Sequence, residues 1–205
     1  MSPDECDLAW HLMRMSTYQQ TLRRLQPIVP PIFDALQDGL TASVQDHAAK
    51  KIRRTVDPHY FSHTARRLTC EALRGQGLLV TDVQHERSAL PMSSIQIEHA
   101  GVRLWVLRSK GDIPLPTSPR KQLFYRQEPT LEGWDNVLLL WDDVDGVLKD
   151  PMHLVRPLGG DRRRPNLQID WDGPLTRKMA TMLAQDLDQL EPEQEWKKLQ
   201  ADEGA

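Results

Sequence analysis

Ile95-Gln96-Ile97-Glu98-His99-Ala100-Gly101-Val102-Arg103-Leu104-Trp105-Val106 is the stretch whose reading decides the fold. Ile95 and Ile97 alternate with polar residues, and Val102, Leu104 and Val106 alternate after the turn at His99-Ala100-Gly101. A period of two puts each apolar set on one face, so the segment reads as a hairpin packed on a core. Upstream, Leu78 to Val83 reads as another strand. Further upstream, Asp57-Pro58 opens a helix that runs to Gly75 or Gly77, with Phe61, Ala65, Leu68 and Ala72 facing inward and Arg66, Arg67 and Arg74 facing mostly outward. Downstream, Ser118-Pro119 caps a short basic helix through Gln127. Val137 to Trp141 is an unbroken apolar run, as in a central strand buried on both faces.

Outward from this core, Ser2-Pro3-Asp4-Glu5 has the form of a helix start, and Leu8, Leu12, Met15, Leu22 and Leu25 recur at helical spacing up to Pro27. Pro30-Pro31 reads as a stiff connection to a second helix, about 32–54, with Phe33, Leu36, Leu40 and Val44 on its stripe. On the other side, Asp142-Asp143-Val144-Asp145-Gly146 reads as a turn, and strands are expected at 152–157 and 167–171. Gly159 to Asn166 reads as an exposed loop. A long last helix is expected over about Thr176–Leu190, with Met179, Leu183, Leu187 and Leu190 inside, followed by an acidic tail that frays. The fold class expected is α+β: a helical N-terminal part, then a mixed, mainly antiparallel sheet of about five or six strands flanked by helices, with a C-terminal helix. The expected division is a helical arm or subdomain over 1–54, an α+β domain over 55–190, and an acidic, partly disordered tail over 191–205.

The 205 residues carry a net charge of −3, an apolar fraction of 39% and a mean hydropathy of −0.56. A chain of this size and patterning can bury a core and is not expected to be disordered as a whole. The charge is segregated. Counting Lys and Arg against Asp and Glu, residues 50–75 carry +7 and −2, 103–126 carry +6 and −1, 128–150 carry +1 and −7, and 185–205 carry +2 and −7. Neighbouring blocks of opposite sign neutralise one another or steer a partner. The basic residues are 18 Arg and 8 Lys, a bacterial or phage-like bias. Two cysteines, Cys6 and Cys70, make no disulfide framework, and no basic start with an apolar run marks a signal peptide. No stretch approaches the roughly 20 apolar residues of a membrane span. A cytoplasmic location without membrane contact is the expectation.

The order of helix, three strands, helix and strand over about residues 58–141 is similar to the core order of the PD-(D/E)xK nuclease superfamily. The resemblance implies clustered carboxylates that hold a divalent metal, with a Lys beside the attacking water. Glu71 and Glu98 would take two of the acidic positions. The third strand reads Arg103-Leu104-Trp105-Val106-Leu107-Arg108-Ser109-Lys110 and lacks the acid-x-Lys, which puts the metal and the activity in doubt. Other signals have blander readings. His59 and His63 lie one helical turn apart, with Cys70 further on, but without an acidic motif they read as an ordinary helix surface. Asp142, Asp143 and Asp145 lack the closing Glu of a calcium loop and read as a turn. Gly159-Gly160 lacks the Lys-Ser/Thr end of a phosphate loop.

Arginines remain. Arg66 and Arg67 on one helix, and Arg120, Lys121 and Arg126 on another, flank the same expected sheet. Arg162, Arg163 and Arg164 extend them from a loop, with Trp105 and Tyr125 close in sequence. Basic groups with aromatics bind phosphate backbones and stack bases, while basic groups alone also dock acidic proteins. The expectation is a non-enzymatic regulatory or adaptor protein that binds another protein through these eight residues, without catalytic residues, metal or cofactor. A nucleic-acid-binding protein, in the form of a degenerate restriction-endonuclease-like module, is the alternative, and an active metal-dependent nuclease comes third. The N-terminal stripe offers a surface for self-association.

Overall fold

The computed structural model describes residues 16–53, 57–78, 80–82, 95–127, 134–192 and 194–195. The protein is an α+β fold whose helical N-terminal part covers one face of a mixed, mainly antiparallel sheet. The expected helix start at Ser2 and the Leu8, Leu12 and Met15 stripe lie outside the described residues.

Helix α1 spans Tyr18–Leu25 and starts at a capping box, in which the Thr17 hydroxyl accepts from the Gln20 amide and the Gln20 side chain accepts from the Thr17 amide. A 3₁₀ turn over Gln26–Ile28 leads into α2, Val29–Ala49. Pro30 and Pro31, expected as a connection, form the first turn of α2 instead, where no amide is needed for the helical ladder. The helix also stops earlier than expected. Lys51 takes a left-handed φ of 55°, and the Lys51 and Ile52 amides donate back to the Ala48 and His47 carbonyls at 3.1 and 2.9 Å, a Schellman closure. Helix α3, Pro58–Gly75, is capped by the Asp57 carboxylate on the Tyr60 amide at 2.8 Å. It crosses α2 at Gly39, where an added Cβ would sit 2.6 Å from the Ala65 carbonyl. Phe61, Ala65, Thr69, Cys70 and Leu73 are buried, whereas Leu68 and Ala72, expected inward, are only partly so.

The strands are β1, Val80–Asp82; β2, Ile95–His99; and β3, Val102–Arg108. Helix α4, Pro119–Tyr125, follows, then β4, Asp135–Trp141. A small hairpin joins β5, Asp143–Val144, to β6, Val147–Leu148, and the chain returns through β7, Met152–Gly159, and β8, Gln168–Leu175. Helix α5, Ala184–Asp188, and β9, Gln194–Glu195, complete the described chain. The main sheet runs β1-β2-β3-β4-β7-β8-β9, with all pairs antiparallel except β3 with β4. Five strands of five or more residues form its body, and the shorter β1 and β9 lie at its edges. The helix, three-strand, helix, strand order is therefore built, and α4 is the crossover that parallel strands require.

Alternation along the strands separates two faces. Ile97, Leu104, Val137, Leu139 and Leu154 pack with Leu22, Leu25, Ile32 and Leu36 of α1 and α2 and with Phe61 and Leu73 of α3. On the opposite face, Trp105, Leu138, Leu140, Val155 and Ile169 pack under Phe124 and Tyr125 of α4.

Charge also fastens the helical face. At the start of β4, the Asp135 carboxylate meets the Ser16 hydroxyl, Arg24 at 2.9 Å and Arg156 at 3.4 Å, and Arg156 reaches on to Asp170 at 2.8 Å. Tyr18 lies against Gly173, where a Cβ would meet its ring at 2.6 Å, and its hydroxyl donates to the Pro174 carbonyl at 2.5 Å.

Strand β8, expected over 167–171, is present and continues to Leu175, paired with β7 and with Gly173 against the Tyr18 ring. One expectation fails on the C-terminal side. The long helix over 176–190 is replaced by a 3₁₀ turn, Arg177–Thr181, and the five-residue α5. The Gln26 side-chain amide takes the Met179, Ala180 and Met182 carbonyls at 3.1, 3.4 and 2.6 Å, a tertiary substitute for helical donors. Met179 and Leu187 are buried as expected, but Leu183 stands 69% exposed at the break.

Candidate interaction surface

Helix α4 is positioned from both ends. The Ser118 hydroxyl caps it by accepting from the Lys121 amide at 3.3 Å. At its C-terminal end Gln127 donates to the Asn136 and Pro157 carbonyls at 2.6 and 2.8 Å, tying the helix to β4 and β7. Phe124 and Tyr125 anchor its inner side. Phe124 meets Trp105 edge-on at 4.9 Å, and the Tyr125 hydroxyl donates to the Pro114 carbonyl at 2.5 Å. Burial pushes the Tyr125 phenol well above its ordinary range, so it stays a neutral donor. Helical spacing then turns Arg120, Leu123 and Arg126 outward together, all three exposed.

The structure gathers most of the expected basic residues around this helix. Burial lowers the Arg120 guanidinium from its usual value, and the Arg103 charge lowers it further. Lys121 is partly buried, with its ammonium 6.0 Å from the Trp105 ring centroid. Burial and the Arg66 charge both push that ammonium down. Arg126 lies close enough to Asp161 to help hold that carboxylate below the usual range, behind the larger effects of the Asn166 hydrogen bond and the Arg163 amide. The same Asp161 builds the loop. It accepts from the Arg163 amide at 2.6 Å and from Asn166 at 2.7 Å, leaving the Arg162 and Arg163 side chains exposed. Arg164 turns back to the Ile113 carbonyl at 2.6 Å.

Two expectations are corrected. Helices α3 and α4 do not pack side by side. They cover opposite faces, because α3 enters the sheet from the face that α2 closes, whereas the crossover carries α4 over the other. Arg66 is near enough for its charge to reach Lys121, but Arg67 is directed to Glu71 on its own helix, at 3.6 Å. The aromatics are also closed to bases. Trp105 is 3% exposed and Tyr125 is fully buried, so neither offers a stacking face.

The positions that the nuclease resemblance singled out are held apart. Glu98 is clamped at 2.7 Å by Arg103, its direct cross-strand neighbour, while Glu71 stands exposed with Arg67 on α3. Among the described residues, no three His, Cys, Asp or Glu side chains converge as metal ligands. His63 is partly buried and partnered, and the His59 side chain lies outside what is described. Asp145 and Gly146, with φ of 49° and 84°, form the two-residue turn of the β5–β6 hairpin. Asp143 accepts from the Gly146 amide at 3.0 Å and from Arg108 at 2.7 Å, and Asp142 takes Lys149 at 2.6 Å. The three aspartates thus serve a turn and ion pairs.

Leu123 was missed by reading charge alone, although the 120, 123, 126 spacing contains it. Trp105 was noticed for its ring, not for its N–H. That indole Nε1, buried, has no hydrogen-bond partner among the described residues. No protein-family model matches the chain, and neither a curated protein nor a solved structure matches it. No helix among the described residues is long and apolar enough to cross a membrane.

Proposed function

We propose that this chain is a non-enzymatic regulatory or adaptor protein that docks an acidic protein partner on the outer side of α4. The observation that carries the reading is the row Arg120, Leu123, Arg126, in which a leucine 47% exposed stands between two exposed arginines. Arginine is enriched in protein-binding hot spots, and an exposed apolar side chain between two arginines gives a partner area to bury. A phosphate backbone has no use for the leucine. Arg162 and Arg163 on the Asp161-built loop extend the cationic rim and steer an acidic surface toward it. Glu71 and Glu98, each held by an arginine, support binding without cleavage.

Nucleic-acid binding is the second reading, favoured by the run of cations from Arg120 through Arg126 to Arg162 and Arg163. The buried aromatics point this reading toward duplex backbone and away from stacked single strands. The test is capture from host extract with the wild type and with Arg120→Glu/Leu123→Asp/Arg126→Glu, the fold being checked by circular dichroism and captured proteins identified by mass. Loss of one acidic protein from the triple variant is expected. If capture is unchanged while duplex DNA binds the wild type and not the variant, the second reading replaces the first.

A further inference from the structure

We propose that Lys121 and the indole N–H of Trp105 form a binding site for a tetrahedral oxyanion of the phosphate-monoester class, at the inner edge of α4. Trp105 is 3% exposed, and its Nε1 has no hydrogen-bond partner among the described residues. An indole nitrogen is a donor only, and a buried donor left unpaired is costly, so an acceptor belongs beside it. The residues around it supply cations instead. The Lys121 ammonium lies 6.0 Å from the ring centroid, and Arg120 lies beside it in the first turn of the same helix. Gln96, directly opposite Trp105 on β2 and buried, puts another N–H-bearing side chain on this face.

The electrostatics point the same way. Lys121 and Arg120 are both pushed down by burial and by a neighbouring arginine, Arg66 for the first and Arg103 for the second. Cations crowded under desolvation gain from a shared anion, and the bonds such an anion accepts are charge-assisted. A water molecule would satisfy the indole but bring no negative charge to Lys121 and Arg120. A phosphoryl group has oxygens enough to do both. The site lies on the inner edge of α4 and shares Arg120 with the Arg120, Leu123, Arg126 row, but its test substitutes Lys121 and Trp105, which the row does not contain.

The test uses the full chain labelled with ¹⁵N, with the Trp105 indole resonance assigned by Trp105→Phe. Inorganic phosphate is titrated against chloride at matched ionic strength. A saturable downfield shift of that resonance is expected with phosphate and none with chloride, and Lys121→Met should weaken the apparent affinity about tenfold or more. Lys121 is partly exposed on a short helix, so its substitution keeps the test open if Trp105→Phe does not fold. A silent resonance in the wild type, or a phosphate response that Lys121→Met leaves intact, overturns the proposal. A short acidic phosphoserine peptide and its unphosphorylated form distinguish two sources of the same chemistry. Tighter binding of the phosphorylated peptide than of phosphate assigns the group to a protein partner, and equal binding assigns it to free phosphate. A larger response to duplex DNA than to either overturns the monoester assignment.

Discussion

The two faces of the sheet are closed by different means. On one, α1, α2 and α3 bury a broad apolar layer, and Asp135, Arg24 and Arg156 fasten its margin with ion pairs. On the other, the seven-residue α4 and two loops cover a smaller layer, and their outer surface carries Arg120, Lys121, Arg126, Arg162 and Arg163. Ion pairs fasten the margin of the first face, whereas on the second Lys121 and Arg120 are crowded by other arginines although Arg103 itself is paired with Glu98. Matched charge holds a fold together. Crowded, exposed charge does not serve the fold in that way.

Substitutions should therefore divide by face. Leu104→Ala, on the helical face and fully buried, should cost about 2–5 kcal/mol in urea unfolding, through lost burial and a residual cavity. A loss below about 1 kcal/mol would mean that the helical layer repacks and that the contrast is shallower than drawn. Asp135→Asn should cost about 3 kcal/mol, since it leaves Arg156, with a side chain 5% exposed, only Asp170 as a partner. Unfolding unchanged in this variant would break the claim that charge fastens this face.

On the other face, Leu123→Ala should change unfolding by no more than about 0.5 kcal/mol while weakening partner capture. A large stability loss there would make Leu123 part of the core and remove the distinction. The smallest effect is at the β5–β6 hairpin. Burial raises the Asp142 carboxyl, but the Lys149 hydrogen bond, the Asp143 amide and the Lys149 and Arg108 charges together hold it below its ordinary 3.8. A depressed folded pKa contributes stability above the unfolded value, and that contribution is lost as pH falls through the folded one. Lys149→Met should raise the Asp142 pKa, read by carboxyl NMR titration, so that the loss sets in at higher pH. An unmoved titration would mean that Arg108 and the backbone alone hold it down.

Reading by alternation and capping works where neighbours in sequence are neighbours in space. The hairpin of β2 and β3, the apolar β4, the Asp57 and Ser118 caps and the Asp145-Gly146 turn are all of this kind. The expected helix over 176–190 failed because its competitor, the Gln26 amide, lies some 150 residues away. Pro30-Pro31 misled for the opposite reason. A proline pair marks a boundary, but only the preceding 3₁₀ turn decides on which side the helix lies.

The candidate surface divides in the same way. The basic residues of α4 and of the 162–164 loop could be named from the sequence, since charge is a property of composition. Whether an arginine is matched by a distant acid could not, because Arg24 and Arg156 meet Asp135 only once the helices and strands are packed. Residue identity and local periodicity determined by themselves the α+β order, the element types from α3 through β4, and the cationic inventory. The tertiary structure alone decided that α3 and α4 take opposite faces, that Trp105 and Tyr125 turn inward, and that Leu123 is left between arginines. Those outcomes depend on which long-range contacts win, and burial and ion pairing act between residues far apart in the chain.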